Sequence, residues 1–170
     1  MGAISYQNIE RSYAVAHKQR RGGTQRPNNL PTEEVIRSFI VNDDPKTLIE
    51  TADAYGKWLA SGEVSLTTSQ LRNLFGAVRQ IHMSWSNDPA GSYRQAVLLI
   101  PKFHYQAQRT FEKGGRGKLG LRELEKALIP ALEAAIAPSD EQTRKERFSR
   151  ATEYFEALVA YHKKHGGKDK

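Results

Sequence analysis

The sequence contains no cysteine, which removes disulfide frameworks, thiolate metal clusters and cysteine nucleophiles from consideration. A reducing, intracellular setting fits that composition. No apolar run approaches the roughly 20 residues that a spanning helix needs, and the N-terminus has no apolar signal-peptide core. A soluble, cytoplasmic protein without a membrane partner is expected. No segment alternates apolar and polar residues for long enough to argue for a strand. Carboxylates and histidines are present but scattered, so no grouping for general acid–base catalysis or metal binding stands out. Neither a catalytic residue, a metal site nor a cofactor is expected.

What remains is basic and helical. The 170 residues, 38% of them hydrophobic, suffice for one compact domain. Lys and Arg number 26 against 19 Asp and Glu, a formal net charge of +7 and a pI near 9.7, which favours polyanionic partners. The excess is uneven. Residues 1–30 and the segment Gly91–Gly120 are basic, whereas Pro31–Ala60 is acidic.

Residues 1–30 include "AHKQRRGGTQRPNNL", too polar for burial to offset the entropy of ordering it, and read as a flexible basic tail. A helical domain is expected over 31–166 and a flexible end over 167–170. Thr32 can cap a first helix whose Glu33 and Glu34 suit its positive end. Asp44 and Pro45 start a second, with Leu48, Ile49, Ala52, Tyr55 and Leu59 on one face and Gly62 beyond its end. Thr67 and Gln70 have capping-box spacing, and the run to Trp85 places Leu71, Leu74, Phe75, Val78 and Ile81 inward. Asp88 and Pro89 open a helix that Pro101 is expected to kink or break into two pieces. The glycines of "EKGGRGKLG" predict a loop. A helix with interior Pro130 follows. Ser139 and Gln142 repeat the capping-box spacing before a last helix that buries Phe148, Ala151, Phe155, Leu158 and Val159 and ends at Gly166. The expectation is an all-α, compact bundle of five to seven helices.

Two polar lines carry the functional reading. At about 100° per residue, Ser69, Arg72, Gly76, Arg79 and Met83 share one edge beside the apolar stripe. Glycine costs a helix about 1 kcal/mol relative to alanine, so Gly76 suggests close approach by another backbone. That backbone is either an RNA strand, whose phosphates suit arginine forks and nearby hydroxyls and amides, or a neighbouring helix. Lys102, Tyr105, Gln106 and Arg109 form the second line, with an aromatic ring available for stacking. Lys113, Arg116 and Lys118 continue the charge into the glycine loop. That loop is not a P-loop, because Leu119 follows Lys118 and no strand precedes it. His162 and His165 have i, i+3 spacing at a lysine-rich helix end and read as a solvated, frayed terminus.

"LTTSQLRNLFGAVRQI", "LLIPKFHYQAQR" and "FEALVAYHKKHGGK", in that order, resemble the small subunit of the type III-A CRISPR (Csm) effector complex. The resemblance spans roughly Pro31 to Lys168. It implies a compact helical, non-catalytic subunit present in several copies beside the crRNA-bearing backbone subunits, near the large subunit, helping to hold target RNA. Carried over, the family's Thr/Ser-Gln-hydrophobic-Arg start falls on Thr67, Thr68, Ser69, Gln70, Leu71 and Arg72, and its Pro-Lys pair on Pro101 and Lys102, with Tyr105 and Arg109 following. Ile100 departs from the polar or basic residue expected before that proline. The expected RNA-binding set is thus Ser69, Gln70, Arg72, Arg79, Lys102, Tyr105, Arg109, Arg116 and Lys118. The competing expectation is a helical assembly module whose edges meet only protein.

Overall fold

The computed structural model describes residues 25–115 and 117–169. Among these are six helices and no strand: α1 Glu33–Asn42, α2 Pro45–Ala60, α3 Thr68–Ser84, α4 Pro89–Lys113, α5 Gly120–Ile136 and α6 Glu141–Lys164. The all-α bundle matches the expectation from periodicity.

Helix α5 is buried around most of its circumference by Leu121, Leu124, Leu128, Leu132 and all four of its alanines, with Arg122, Glu125, Lys126 and Glu133 on one polar strip. A helix of that kind belongs at the centre of a bundle. It contacts α4 on one side, α1 and α2 on another, and α6 along its length, while α6 in turn supports α2 and α3. Aromatic pairs stitch α6 to its neighbours. Tyr154 meets Phe39 of α1 edge-on at 5.0 Å, Phe155 meets Phe75 of α3 at 5.6 Å, and Phe148 lies 4.9 Å from Trp85 just after α3. Such pairs add about 0.5–1.5 kcal/mol each beyond the area they bury. Helix α1 has no basic residue in its last turn. Arg150 of α6 supplies the charge instead, donating to the Ile40 carbonyl at 2.9 Å and pairing with Asp43 at 3.2 Å.

The caps at Thr32, Asp44 and Asp88 form as expected, and Thr67 with Gln70 makes the full reciprocal box. Ser139 does not cap α6. Asp140 does, accepting from the Thr143 backbone at 2.7 Å, because a carboxylate one residue later competes better for the positive helix end. Pro101 does not divide α4, which runs unbroken for 25 residues. The proline is exposed, as is Val97, so the carbonyl that loses its intrahelical donor can turn to water. Ile49, placed inward by its spacing, is 47% exposed; the buried face of α2 is set by Leu48, Thr51, Ala52, Tyr55 and Leu59.

The described residues of both expected tails make specific contacts with the helices. Residues 1–24 of the 1–30 tail lie outside the described residues. Arg26, however, donates to the Tyr55 hydroxyl at 2.6 Å and lies 3.5 Å from Glu123. The buried Glu123 carboxylate also accepts from Trp58 at 2.9 Å and pairs with Lys126, so its charge is compensated on three sides. At the other end, His162 is fully buried rather than solvated and donates from Nε2 to the Leu66 carbonyl at 2.9 Å. His165 contacts Asp53 at 2.7 Å. Residues 167–169, expected to be flexible, are hydrogen-bonded: the Gly167 amide donates to His162, and the Lys168 carbonyl accepts from the Thr68 amide at 2.8 Å. This segment satisfies one of the amides that a helix start leaves unpaired.

Candidate nucleic-acid interface

Helix α3 presents three different faces around its axis. Leu71, Val78 and Ile81 point to the core. Ser69, Arg72, Gly76, Arg79 and Met83 are all exposed, Met83 at 67%. The third face, Gln70, Asn73, Ala77 and Gln80, at spacings of three and four, forms one wall of a groove toward α4.

The facing wall comes from α4, where Ser92, Ala96, Phe103 and Ala107 anchor the helix in the core. One quarter-turn away, Gln95, Lys102, Gln106, Arg109 and Lys113 line the groove, whose volume is about 630 Å³. Its floor is apolar, made by Leu74, Ile81, Leu99, Phe103 and Leu121. From Lys102 to Lys113 the cations span about 16 Å of helix. No Asp or Glu lines the groove. Lys102, Arg109 and Lys113, like Arg72 and Arg79, make no ion pair with a described residue, so no described carboxylate neutralises their field.

The groove therefore unites Gln70, Lys102 and Arg109 of the expected set. Arg72 and Arg79 lie on the neighbouring outer face of α3. Tyr105 is 65% exposed on the outer face of α4, in a stripe with Val97 and Leu98. Lys118 lies in the loop after α4, its ammonium 5.7 Å from the Phe111 ring. Arg116 lies outside the described residues. Ser69 is engaged within the chain, its hydroxyl donating to the Asp169 carbonyl at 2.7 Å. Gln70 also spends its carbonyl oxygen on the capping box, at 3.1 Å from the Thr67 amide, leaving its amino group free for the groove. Asn73, Gln80 and Gln95 were missed, being uncharged and weakly periodic. Asn73 and Gln80 stand out only when Gln70 is extended along its own face at i+3 and i+10.

Gly76 faces open space, with no atom within 4 Å of where a Cβ would sit. No other helix among the described residues approaches it. Among the described residues no group of three or more His, Asp or Glu is placed to hold a metal ion, and no helix is long and apolar enough to cross a membrane.

Comparison with known families settles the larger identity. The model of the family Csm2 Type III-A matches residues 42–168. The chain belongs to that family. It is therefore a small subunit of the type III-A Csm complex, and both faces of α3 and all of α4 fall within the matched region. No curated protein and no solved structure matches the chain.

Proposed function

We propose that this Csm2-family chain is a non-catalytic RNA-holding subunit, several copies of which stack beside the crRNA-bearing backbone subunit and near the large subunit. Target RNA lies along the groove between α3 and α4 and is held through its phosphates. The observation that carries this reading is the row Lys102, Arg109 and Lys113, unpaired in a groove without a single carboxylate. Arg72 and Arg79 extend the positive surface around α3. Because the guide supplies sequence specificity, contacts to the phosphate backbone suit a subunit that serves many guides. Copies laid side by side on one strand would combine modest individual affinities through high effective concentration.

The test is RNA affinity of the assembled complex as a function of salt. In the double variant Arg72→Ala, Arg79→Ala, the plot of log affinity against log salt should flatten by about 0.7 for each phosphate of a single strand that no longer meets a cation. An unchanged slope in a folded double variant would remove those two arginines from the interface. The isolated chain should bind single-stranded RNA weakly and cleave none of it, with or without divalent metal; cleavage by nuclease-free protein would refute the non-catalytic reading. A second reading, an assembly module without RNA contact, draws on the exposed apolar stripe Val97, Leu98 and Tyr105, a surface suited to protein. It predicts full target affinity after the groove charges are reversed.

A further inference from the structure

A rail that held only phosphates would need donors and positive charge. The α3–α4 groove contains something else as well. Asn73 and Gln80 on one wall face Gln95 and Gln106 on the other, and none of these four side chains hydrogen-bonds to another described residue. Each amide presents an acceptor oxygen beside its two N–H donors, and that oxygen has nothing to offer a phosphate. Below them lies the apolar floor, with Ile81, Leu99 and Phe103 nearly buried and only their edges reaching the groove. Ala77, the smallest side chain of the α3 wall, sits between Asn73 and Gln80 and keeps the space open.

Neutral donors and acceptors at the rim, apolar surface beneath, and cations along one side are the complement of a nucleotide. A nucleobase has apolar faces and an edge of mixed donors and acceptors, and its own phosphates lie within reach of a flanking row of positive charge. We infer that the groove receives an unpaired base of the bound RNA, with the neighbouring phosphates on Lys102, Arg109 and Lys113. This inference rests on the RNA-holding function proposed above and specifies what that groove takes in.

The amides also explain how a base can be held without being read. Rotation of a Gln or Asn amide by half a turn exchanges its donor and acceptor, so four such groups can meet the edge of any of the four bases. The site thus requires a base and is indifferent to which one, as a subunit serving many guides demands. Lys102, Arg109 and Lys113 supply the complementary charge that favours this occupant over a neutral peptide.

The experiment compares the full chain's affinity for a short single-stranded oligouridylate, an oligoadenylate, and an RNA of equal length whose ribose units carry no bases. The two base-bearing strands should bind similarly, and about tenfold more tightly than the abasic strand, with the same salt slope for all three because the phosphates are unchanged. In the double variant Asn73→Leu, Gln80→Leu, exposed positions that tolerate leucine in a helix, the preference for base-bearing RNA should vanish while the salt slope persists. Asn73→Gln should retain the preference. Equal affinity of the unmodified chain for base-bearing and abasic RNA, with a normal salt slope, would overturn the base site and leave phosphate holding intact. Absence of salt-dependent binding to any of the strands would overturn both. If the leucine variant kept its preference for bases but failed to assemble with its partner subunits, the groove would be a protein seat and the inference wrong.

Discussion

Two helical glycines, Gly56 and Gly76, stand in opposite surroundings. A Cβ at Gly56 would lie 2.7 Å from the Tyr161 Cβ and 2.8 Å from the His162 backbone nitrogen, because α2 and α6 pass almost backbone to backbone there. A Cβ at Gly76 would meet nothing. Around Gly56, the fully buried His162 donates from Nε2 to the Leu66 carbonyl, leaving only its Nδ1 without a partner among the described residues, and Tyr55 has its hydroxyl satisfied by Arg26 and the Pro31 carbonyl. Around Gly76, Arg72 and Arg79 pair with no described residue, and the next face of the helix carries the side-chain amides of Asn73 and Gln80, which hydrogen-bond to no described side chain or backbone group. Where the chain satisfies its own groups it is building the fold. Where it leaves charge and hydrogen-bonding capacity unspent, the fold has no use for it, which is the ground for the binding role proposed above.

Gly56→Ala is the strongest way to break this contrast. Alanine favours a helix by about 1 kcal/mol over glycine, yet here the added methyl runs into backbone atoms that cannot rotate away. Overpacking of that kind costs about 3 kcal/mol, enough to outweigh the propensity gain. Urea unfolding should show a marked loss of stability. An unchanged midpoint would mean the α2–α6 seam is looser than the structure describes.

On the open face the expected effect moves from stability to binding. Lys102→Glu with Arg109→Glu changes two exposed residues of α4, so the melting temperature should hardly move. Leaving two phosphates without a cation at physiological salt should weaken RNA binding about tenfold, and the reversed charges should weaken it further. A single charge reversal in another concavity of similar volume makes the control. That cavity, about 600 Å³, is bordered by Glu33, Arg37, Glu125 and Glu133 among others, and its charged groups are already engaged by neighbours. Arg37 pairs with Glu133 and Glu33, and His104 with Glu125. Arg37→Glu should therefore reduce stability and leave RNA affinity alone. A loss of RNA affinity from Arg37→Glu in proportion to the charge changed would show that only overall charge matters.

The same contrast explains which features were legible in the sequence. Caps at Thr32, Asp44, Thr67 and Asp88 and the inward faces of α3 and α6 are local, since each depends on spacing within one helix. Gly56 and His162 depend on which helices become neighbours, and no periodicity within α2 or α6 announces that their backbones touch. His162 also lies among lysines, which made a solvated end the natural reading until Leu66 and the Gly167 turn closed over it. In the candidate site, charge made Lys102 and Arg109 visible, whereas Asn73, Gln80 and Gln95 carry neither charge nor hydrophobicity. The use of Ser69 by the chain's own Asp169 carbonyl was hidden for the same reason as the seam, since the two segments that meet are far apart in sequence.

The buried seam should also respond to pH. Burial lowers the pKa of His162 from its ordinary 6.5, with the hydrogen bond to Leu66 opposing the shift. The folded state therefore resists protonation more than the unfolded chain does, and stability is full above 6.5 and declines as pH falls from there toward the depressed folded value. Asp53, held down chiefly by its hydrogen bond with His165, acts in a lower window, losing its contribution only as pH falls through 3.8 and below. Denaturant unfolding across the upper window should show the decline in the unmodified chain and a flatter profile in His162→Gln. A persistent decline in that variant would assign the effect to other groups.

Gly76→Ala has the smallest expected effect on the fold and the most informative sign. The position is exposed, and the new methyl meets no atom of the described residues, so the helix gains up to about 1 kcal/mol of propensity with no steric term from them to set against it. Thermal unfolding of the isolated chain should rise slightly. In the assembled complex the same methyl stands between Arg72 and Arg79, one turn from each along the exposed edge. If a phosphate backbone or a neighbouring subunit comes close enough to require glycine, the variant should lose RNA affinity or assembly while remaining the more stable protein. Which of the two fails identifies what approaches: reduced affinity with intact assembly points to RNA, and impaired assembly points to protein. A variant that is more stable and fully active in both respects would mean that nothing needs the gap at Gly76, and that the open face of α3 ends at its amide wall.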